Sequence, residues 1–342
     1  MCTAASYVSK DHYFGRNLDL EYSYHEQVVV VPRRFRFTYR NGDPFANRAG
    51  SVNASSTGWK SGELNHYAMI GMAFVQDGYP LFYDGVNEAG LGMAGLNFPD
   101  NCDFQPVQEG KRNIASFEMI PYILSSCATV SEARSALADV SITNQAFSEK
   151  LPPNPLHWMI ADRERQIVVE QTKRGLEIYD DPVGVMTNNP TFDVQLTMLS
   201  NYRNLTAEQG SSRFAPGLEL PAYSRGMGGM GLPGDLSSAS RFAKVAFTRM
   251  NSVSAPDEVS SVNQFFHILG SVEQQRGLCC LGPDKYEITI YSSCCNQDKG
   301  IYYYRTYDNS EIVAVDMHRE DLDGETLAAY DLVRADGFRV VN

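Results

Sequence analysis

Apolar residues along the first ninety-odd positions recur with the period of two that marks half-buried strands. "CTAASYV" and "YFGRNLDL", joined by the polar turn "SKDH", read as a hairpin. "EQVVVVPR", "YAMIGMAFV", "YPLFYDGV" and "GLGMAGLNF" continue the series. The stretch at 41–65, rich in Gly, Ser and Asn, reads as a surface excursion. A helical block is expected from Ile114 to Val140. Its second half opens on "TVSE", in which Thr129 caps and Glu132 reaches back. Strands resume with "LHWMIADRERQIVVEQ", turning at Asp162–Arg165, and with two short strands in "GLEIYDDPVGVMTN". Helices follow at 191–202, 239–250 and 258–270, and "YEITIYSS", "GIYYYRTYD" and "EIVAVDM" close the chain as strands. Strands, helices, strands, helices, strands predict one α+β domain of two sheets with helices packed outside them. No internal repeat interrupts it.

Composition narrows the classes of partner. The chain has 342 residues, 43% hydrophobic and 20% charged, a globular balance long enough to bury a core. A formal net charge of −12 argues against nucleic acid and anionic membranes, which select clustered Lys and Arg. An anionic small molecule stays compatible, because a few arginines can converge inside an acidic protein. The apolar runs "VVVVP" and "AMIGMAFV" fall well short of the ~20 residues of a membrane span. No basic-then-apolar segment opens the chain, so a cytoplasmic location is expected. The seven cysteines then read as reduced thiols. Cys279-Cys280 and Cys294-Cys295 have the right atoms for a zinc site but the wrong spacing, because neighbours on a strand point to opposite faces. Buried thiols, with only one of the later pair facing inward, are the expectation, and no metal or organic cofactor is expected.

Cys2 changes the picture. A methionine before so small a residue is normally trimmed, which would leave Cys2 with a thiol and a free α-amine on one carbon. The thiol titrates near ~8.5 and the amine near ~7.7–8.0, so the amine can take the thiol proton without a histidine. In "FGRNLD", Arg16 and Asp19 lie on the strand that folds back beside Cys2. A guanidinium there favours thiolate, and a carboxylate can hold the amine.

A chain that begins MCT and continues to "FGRNLD" resembles the choloylglycine hydrolase family of bile salt hydrolases and penicillin V acylases. The resemblance runs nearly end to end through "YDGVNEAGLGMAGLNFP", "LHWMIAD", "VGVMTNNPTFD", "GLPGDLSSASRF", "FFHILGSV" and "YYYRTYD". It implies an N-terminal nucleophile hydrolase fold, a four-layer αββα sandwich of two antiparallel sheets flanked by helices, over residues 2–342. By the same resemblance Cys2 is the nucleophile, Arg16 adjoins its thiol and Asp19 contacts the amine. Asn188 supplies an oxyanion donor through its side chain, Asn97 a second through its backbone, and Arg241 a further cation. The implied reaction is hydrolysis of glycine- or taurine-conjugated bile salts through a Cys2 thioester, with no cofactor. Penicillin V or an N-acyl-homoserine lactone is the alternative substrate, and a non-catalytic bile-acid binder the reading from another class. Asn97 favours bile salts, because penicillin V acylases often carry tyrosine there. Segment 200–230 resembles the family's assembly loop, which implies a homotetramer. Loops 20–24, 72–79 and 144–155 are implied to border the steroid pocket.

Overall fold

The computed structural model describes residues 1–45, 66–334, 337 and 340–342; most of the 41–65 excursion lies outside them. In chain order the strands begin with β1 (Cys2–Val8), β2 (His12–Leu20), β3 (Gln27–Val31), β4 (Met69–Gln76), β5 (Tyr79–Asn87), β6 (Gly92–Asn97) and β7 (Arg112–Ala115). Two helices, α1 (Met119–Ser126) and α2 (Val130–Leu137), lead into β8 (Val140–Thr143), β9 (Leu156–Ala161), β10 (Gln166–Thr172), β11 (Gly175–Asp180) and β12 (Val185–Met186). Helices α3 (Phe192–Leu199), α4 (Ser238–Asn251) and α5 (Glu258–Gly270) follow. Then come β13 (Cys280–Gly282), β14 (Lys285–Tyr286), β15 (Ile288–Asn296), β16 (Ile301–Thr306), β17 (Val313–Asp316) and β18 (Ala328–Asp331).

Two antiparallel sheets carry the molecule, one of six strands in the order β12-β1-β2-β15-β16-β17 and one of eight in the order β11-β10-β9-β6-β5-β4-β3-β18. One apolar cluster fills the space between the sheets and beneath α4 and α5, through residues such as Phe14, Met159, Phe242 and Phe265. A second lies under α1 and α2 on the outer face of the larger sheet, through Met93, Ile123, Leu137 and Trp158. The layers are therefore αββα. Because both faces of the central strands are covered, they are buried at nearly every position, and β2 and β15 read as continuous runs rather than clean alternation.

Local details depart from the sequence expectation in instructive ways. The helical block starts at Met119, because Arg112–Ala115 pairs in parallel with Val140–Thr143 as a small separate sheet. The capping box is displaced by one residue. Thr129 Oγ1 accepts from the Glu132 N–H at 3.1 Å, while Glu132 Oε2 accepts from the N–H of Ala128, at 2.8 Å, rather than from Thr129 itself. The two strands of "GLEIYDDPVGVMT" go to different sheets, β11 to an edge of the larger and β12 to an edge of the smaller. Cys294 and Cys295 do point to opposite faces, yet both are fully buried, since helix covers one face and the second sheet the other. Cys280, on the β13–β14 hairpin, is exposed rather than buried, and Cys279 is half-buried. No helix among the described residues is long and apolar enough to cross a membrane.

At the end of the sheets where β2 begins, His12 is 1% exposed, and neither ring nitrogen has a hydrogen-bond partner among the described residues. Burial pushes its imidazole down to about 4, against the pull of Asp298 and Asp162 and with that of Arg249 and Arg163. A histidine whose folded pKa lies below its unfolded value of 6.5 stabilises the fold fully above pH 6.5 and loses that contribution as pH falls toward 4. At ~1.4 kcal/mol per unit, the loss amounts to about 3 kcal/mol across that window. Urea unfolding at pH 7.5 and 4.5 should show His12→Asn losing about 2–3 kcal/mol less than wild type on acidification. Equal losses would remove His12 from the acid response.

Candidate active site

The site lies at the opposite end of the sheets, where β1 starts. Strands β1 and β2 pair with Cys2 opposite Leu18 and Ala4 opposite Arg16, so Cys2 and Arg16 share the face turned toward the larger sheet. Cys2 is 4% exposed. Arg16 is fully buried; its Nη1 donates to the carbonyls of Gly95 at 2.5 Å and Tyr83 at 3.1 Å, both on the larger sheet, and its Nη2 has no partner among the described residues. Burial alone would lower the Arg16 pKa, but Cys2, Tyr291, Asp84 and Asp19 together raise it, so the guanidinium is a fixed charge. Gly15 allows this arrangement. A Cβ there would stand 2.1 Å from the carbonyl oxygen of Ser293, and the close approach lets the Arg16 N–H donate to Ser293 Oγ at 3.0 Å.

Asp19, three residues beyond Arg16, projects from the other face of β2. Its Oδ1 accepts from Thr289 Oγ1 at 2.6 Å, while its backbone N–H donates to the Met1 carbonyl at 3.0 Å. Burial raises its pKa, opposed by Arg241, the terminal ammonium, Thr289 and Arg16. The Met1 ammonium donates to the Asp19 carbonyl at 2.8 Å and pairs with Glu287.

Asn188 is the hub. Ala4 pairs with Met186, and two residues further the same register brings Asn188 opposite Cys2. Its Oδ1 accepts from the Cys2 N–H at 2.8 Å and from Arg241 Nη2 at 2.7 Å. Its Nδ2 donates one hydrogen to the Asn97 carbonyl at 2.6 Å and has a second to offer. Arg241, buried on the first turns of α4, also holds the Cys2 carbonyl and Thr3 Oγ1 through Nη1, and the Leu236 carbonyl through Nε at 3.0 Å. Burial lowers its pKa, offset by Asp19, Cys2 and Cys279. All six residues singled out from the sequence thus converge, with Asn97 engaged through its carbonyl.

The sequence reading missed the braces around Asn188. Ser238 Oγ accepts from the Asn188 N–H at 2.9 Å, and Gln195 Nε2 donates to its carbonyl at 2.7 Å. Behind them, buried His157 lies 2.8 Å from the Thr187 carbonyl and 3.0 Å from Glu170, which accepts from the Phe192 N–H at 3.1 Å. Phe98 stacks on that imidazole with centroids 4.2 Å apart. Ser238, Gln195, His157 and Glu170 come from four different elements, and of these only Gln195 lies near Asn188 in the chain. The "PGD" loop has its own role. Asp235, hydrogen-bonded by Ser237 and Ser240 and held down to about 2 by those bonds, fixes the start of α4.

Of the three segments expected to border the pocket, 20–24 meets 72–79 and 72–79 meets 144–155, with Phe74 on β4 and Tyr79 buried on β5. Tyr24 packs on Phe74 at 6.3 Å between centroids, and Tyr79 on Phe147 at 5.7 Å. A cavity of about 480 Å³, lined by His12, Glu88, Asp162 and Asp298 among others, belongs to the far end of the sheets and not to this chemistry.

Residues 2–330 match the model of the linear amide C–N hydrolases, choloylglycine hydrolase family. The chain belongs to that family. Among relatives of the family, the bile salt hydrolase/transferase of Lactiplantibacillus plantarum is 48% identical over 342 residues, covering 100% of both chains. The bile salt hydrolase/transferase of Clostridium perfringens is 39% identical, covering 96% of each. The crystal structure of the C2A mutant of the Clostridium perfringens conjugated bile acid hydrolase superimposes with a TM-score of 0.87 at 38% identity, covering 100% of both chains. Penicillin V acylase from Agrobacterium tumefaciens, 20% identical over 97% of this chain and 92% of its own, shares the fold with a TM-score of 0.71. The chain is thus an amidohydrolase with the N-terminal nucleophile hydrolase architecture.

Proposed function

We propose that this enzyme hydrolyses the amide bond of glycine- or taurine-conjugated bile salts, with Cys2 as nucleophile. The observation that carries the mechanism is the hydrogen bonding of Asn188 to Cys2, Arg241 and Asn97 at once. Full-length relatives named for bile salt hydrolysis carry the substrate class. In the reaction, removal of Met1 frees the Cys2 α-amine beside Asp19. The amine takes the thiol proton, and Arg16 favours the thiolate. The sulfur attacks the amide carbonyl, and the oxyanion receives the second Nδ2 hydrogen of Asn188 and the Asn97 N–H. Collapse breaks the C–N bond as the α-ammonium returns its proton to the departing amine, leaving a thioester. Water, deprotonated by the same amine, adds to the thioester, and the free bile acid leaves as the thiol is restored.

Parallel rates with glycocholate, taurocholate and penicillin V test the substrate class. Conjugated bile salts should be turned over, whereas penicillin turnover without bile salt turnover would contradict this reading. The role of Met1 has its own test. While Met1 is attached, Cys2 nitrogen is a peptide N–H that donates to Asn188 Oδ1, and it has no base to offer. Intact mass should begin at Cys2. A chain with a bulky residue inserted between Met1 and Cys2, which blocks trimming, should lose at least about 10³-fold in kcat/KM.

Segment 200–230 supports a homotetramer as the working state, since it is largely irregular and leaves Phe214 and Tyr223 about 80% exposed. A cytoplasmic location, where thiols stay reduced, accords with cysteines that form no disulfide among the described residues. Light scattering of the purified chain reads the assembly.

A further inference from the structure

Asp84 lies on β5, fully buried, and faces the smaller sheet. Its Oδ1 accepts from the Tyr291 hydroxyl at 2.6 Å, and its Oδ2 accepts from Ser293 at 2.8 Å and Tyr302 at 2.9 Å. Arg16 N–H donates to Ser293 Oγ, which leaves the hydroxyl hydrogen free to reach Asp84. Burial raises the Asp84 pKa, and Arg16 with the Tyr291, Ser293 and Tyr302 hydroxyls opposes that rise; three hydroxyl hydrogens on two oxygens favour the carboxylate. Arg16 makes no ion pair with it among the described residues, because its Nη1 is directed to two backbone carbonyls and its Nη2 has no partner. The two groups therefore interact as charges across a buried gap, where screening by water is weak.

The charges around the Cys2 thiol give this carboxylate a purpose. Arg16 shares the face of the Cys2 thiol, Arg241 holds the Cys2 carbonyl and Thr3 from the helix side, and each interacts electrostatically with Cys2. Asp19 answers Arg241, and Asp84 answers Arg16. Beyond these, Tyr83, Tyr291, Tyr302 and Cys295 surround the Arg16–Asp84 pair, and Glu287 lies by the chain terminus. Arg16 and Arg241 stand against Asp84 and Asp19, with Glu287 as a third carboxylate at the chain terminus. Without Asp84 the cluster loses one negative charge, and the thiolate beside Arg16 would be stabilised further. A thiolate stabilised that way is also a poorer nucleophile.

We propose that Asp84 is a positioning and charge-balancing residue of the hydrolysis, which acts through Ser293 and Arg16 to set the acidity, and so the nucleophilicity, of Cys2. This rests on the reading of Cys2 as the nucleophile. The test is the pH dependence of Cys2 alkylation by iodoacetamide, followed by mass spectrometry of the N-terminal peptide, in wild type and Asp84→Asn. The same two proteins give kcat/KM for glycocholate against pH. In the variant the alkylation midpoint and the acid limb of kcat/KM should both move down by about 1 unit. The plateau alkylation rate should fall about threefold, from the lower nucleophilicity of a less basic thiolate. A folded variant whose midpoint is unmoved or raised overturns the proposal and leaves Asp84 a packing residue. If Asp84→Asn does not fold, Tyr302→Phe replaces it. Withdrawing one donor weakens the carboxylate's hold on its charge, so the midpoint should fall by a fraction of a unit, and a midpoint that stays or rises contradicts the proposal. Failure of the nucleophile reading is a separate result, seen as full hydrolysis by Cys2→Ser.

Discussion

Cys2→Ser should lower kcat/KM for glycocholate by roughly 10⁴-fold or more, with little change in thermal stability. The two side chains differ by one atom at a position only 4% exposed, so packing is nearly conserved. The chemistry is not. A thiol near ~8.5 lies within reach of an α-amine near ~7.7–8.0, whereas a serine hydroxyl holds its proton far more tightly and gives that amine nothing to remove at neutral pH. Arg16 compounds the difference, since its field stabilises a thiolate that forms but cannot make an alkoxide accessible. Initial rates by chromatographic assay, with a thermal melt on the same samples, separate the two effects. Residual activity within tenfold of wild type would contradict the assignment.

Asn188→Ala is expected to be the next most damaging change, by two routes that can be separated. Loss of the oxyanion donor should lower kcat by about 10²–10³-fold. Loss of Oδ1 also removes the acceptor for the Cys2 N–H and for Arg241 Nη2, and leaves a buried guanidinium short of a partner. That should cost about 1–3 kcal/mol of stability. Asn188→Asp divides them. It keeps an acceptor toward Arg241 but sets a second oxygen against the Asn97 carbonyl, so it should recover only part of the stability, while offering no hydrogen to an oxyanion and leaving kcat depressed. A kcat for Asn188→Asp close to wild type would remove Asn188 from the oxyanion site, whatever the stability of the alanine variant.

The hairpin that unites Cys2 with Arg16 was legible because two strand-like stretches flank the short polar "SKDH" turn; its register follows from the fold-back. Arg16 and Asp19 were legible as neighbours of Cys2, and their odd spacing sets them on opposite faces of β2, but it does not say which face meets the larger sheet. Asn97, Asn188 and Arg241 became visible only through family resemblance, since 81 or more positions separate each from Arg16 and Cys2. Asp84, Ser293, Tyr291 and Tyr302 were not visible at all. They meet across the gap between two sheets, and a periodicity that places a residue on a face does not say what the opposing sheet sets against it. The strand at Arg112–Ala115 was hidden for a related reason. Four residues fixed by pairing with Val140–Thr143 are too few to override the helical pattern that follows.

The most direct test of the account is to trap the acyl-enzyme. Wild-type protein mixed with glycocholate, quenched in acid during the first turnovers and digested, should yield the peptide that begins at Cys2 carrying one added cholyl group. That adduct should be released by hydroxylamine and absent from Cys2→Ser. Turnover at the full rate with no acyl group on that peptide, or with the group on another residue, would contradict a Cys2 thioester as the intermediate.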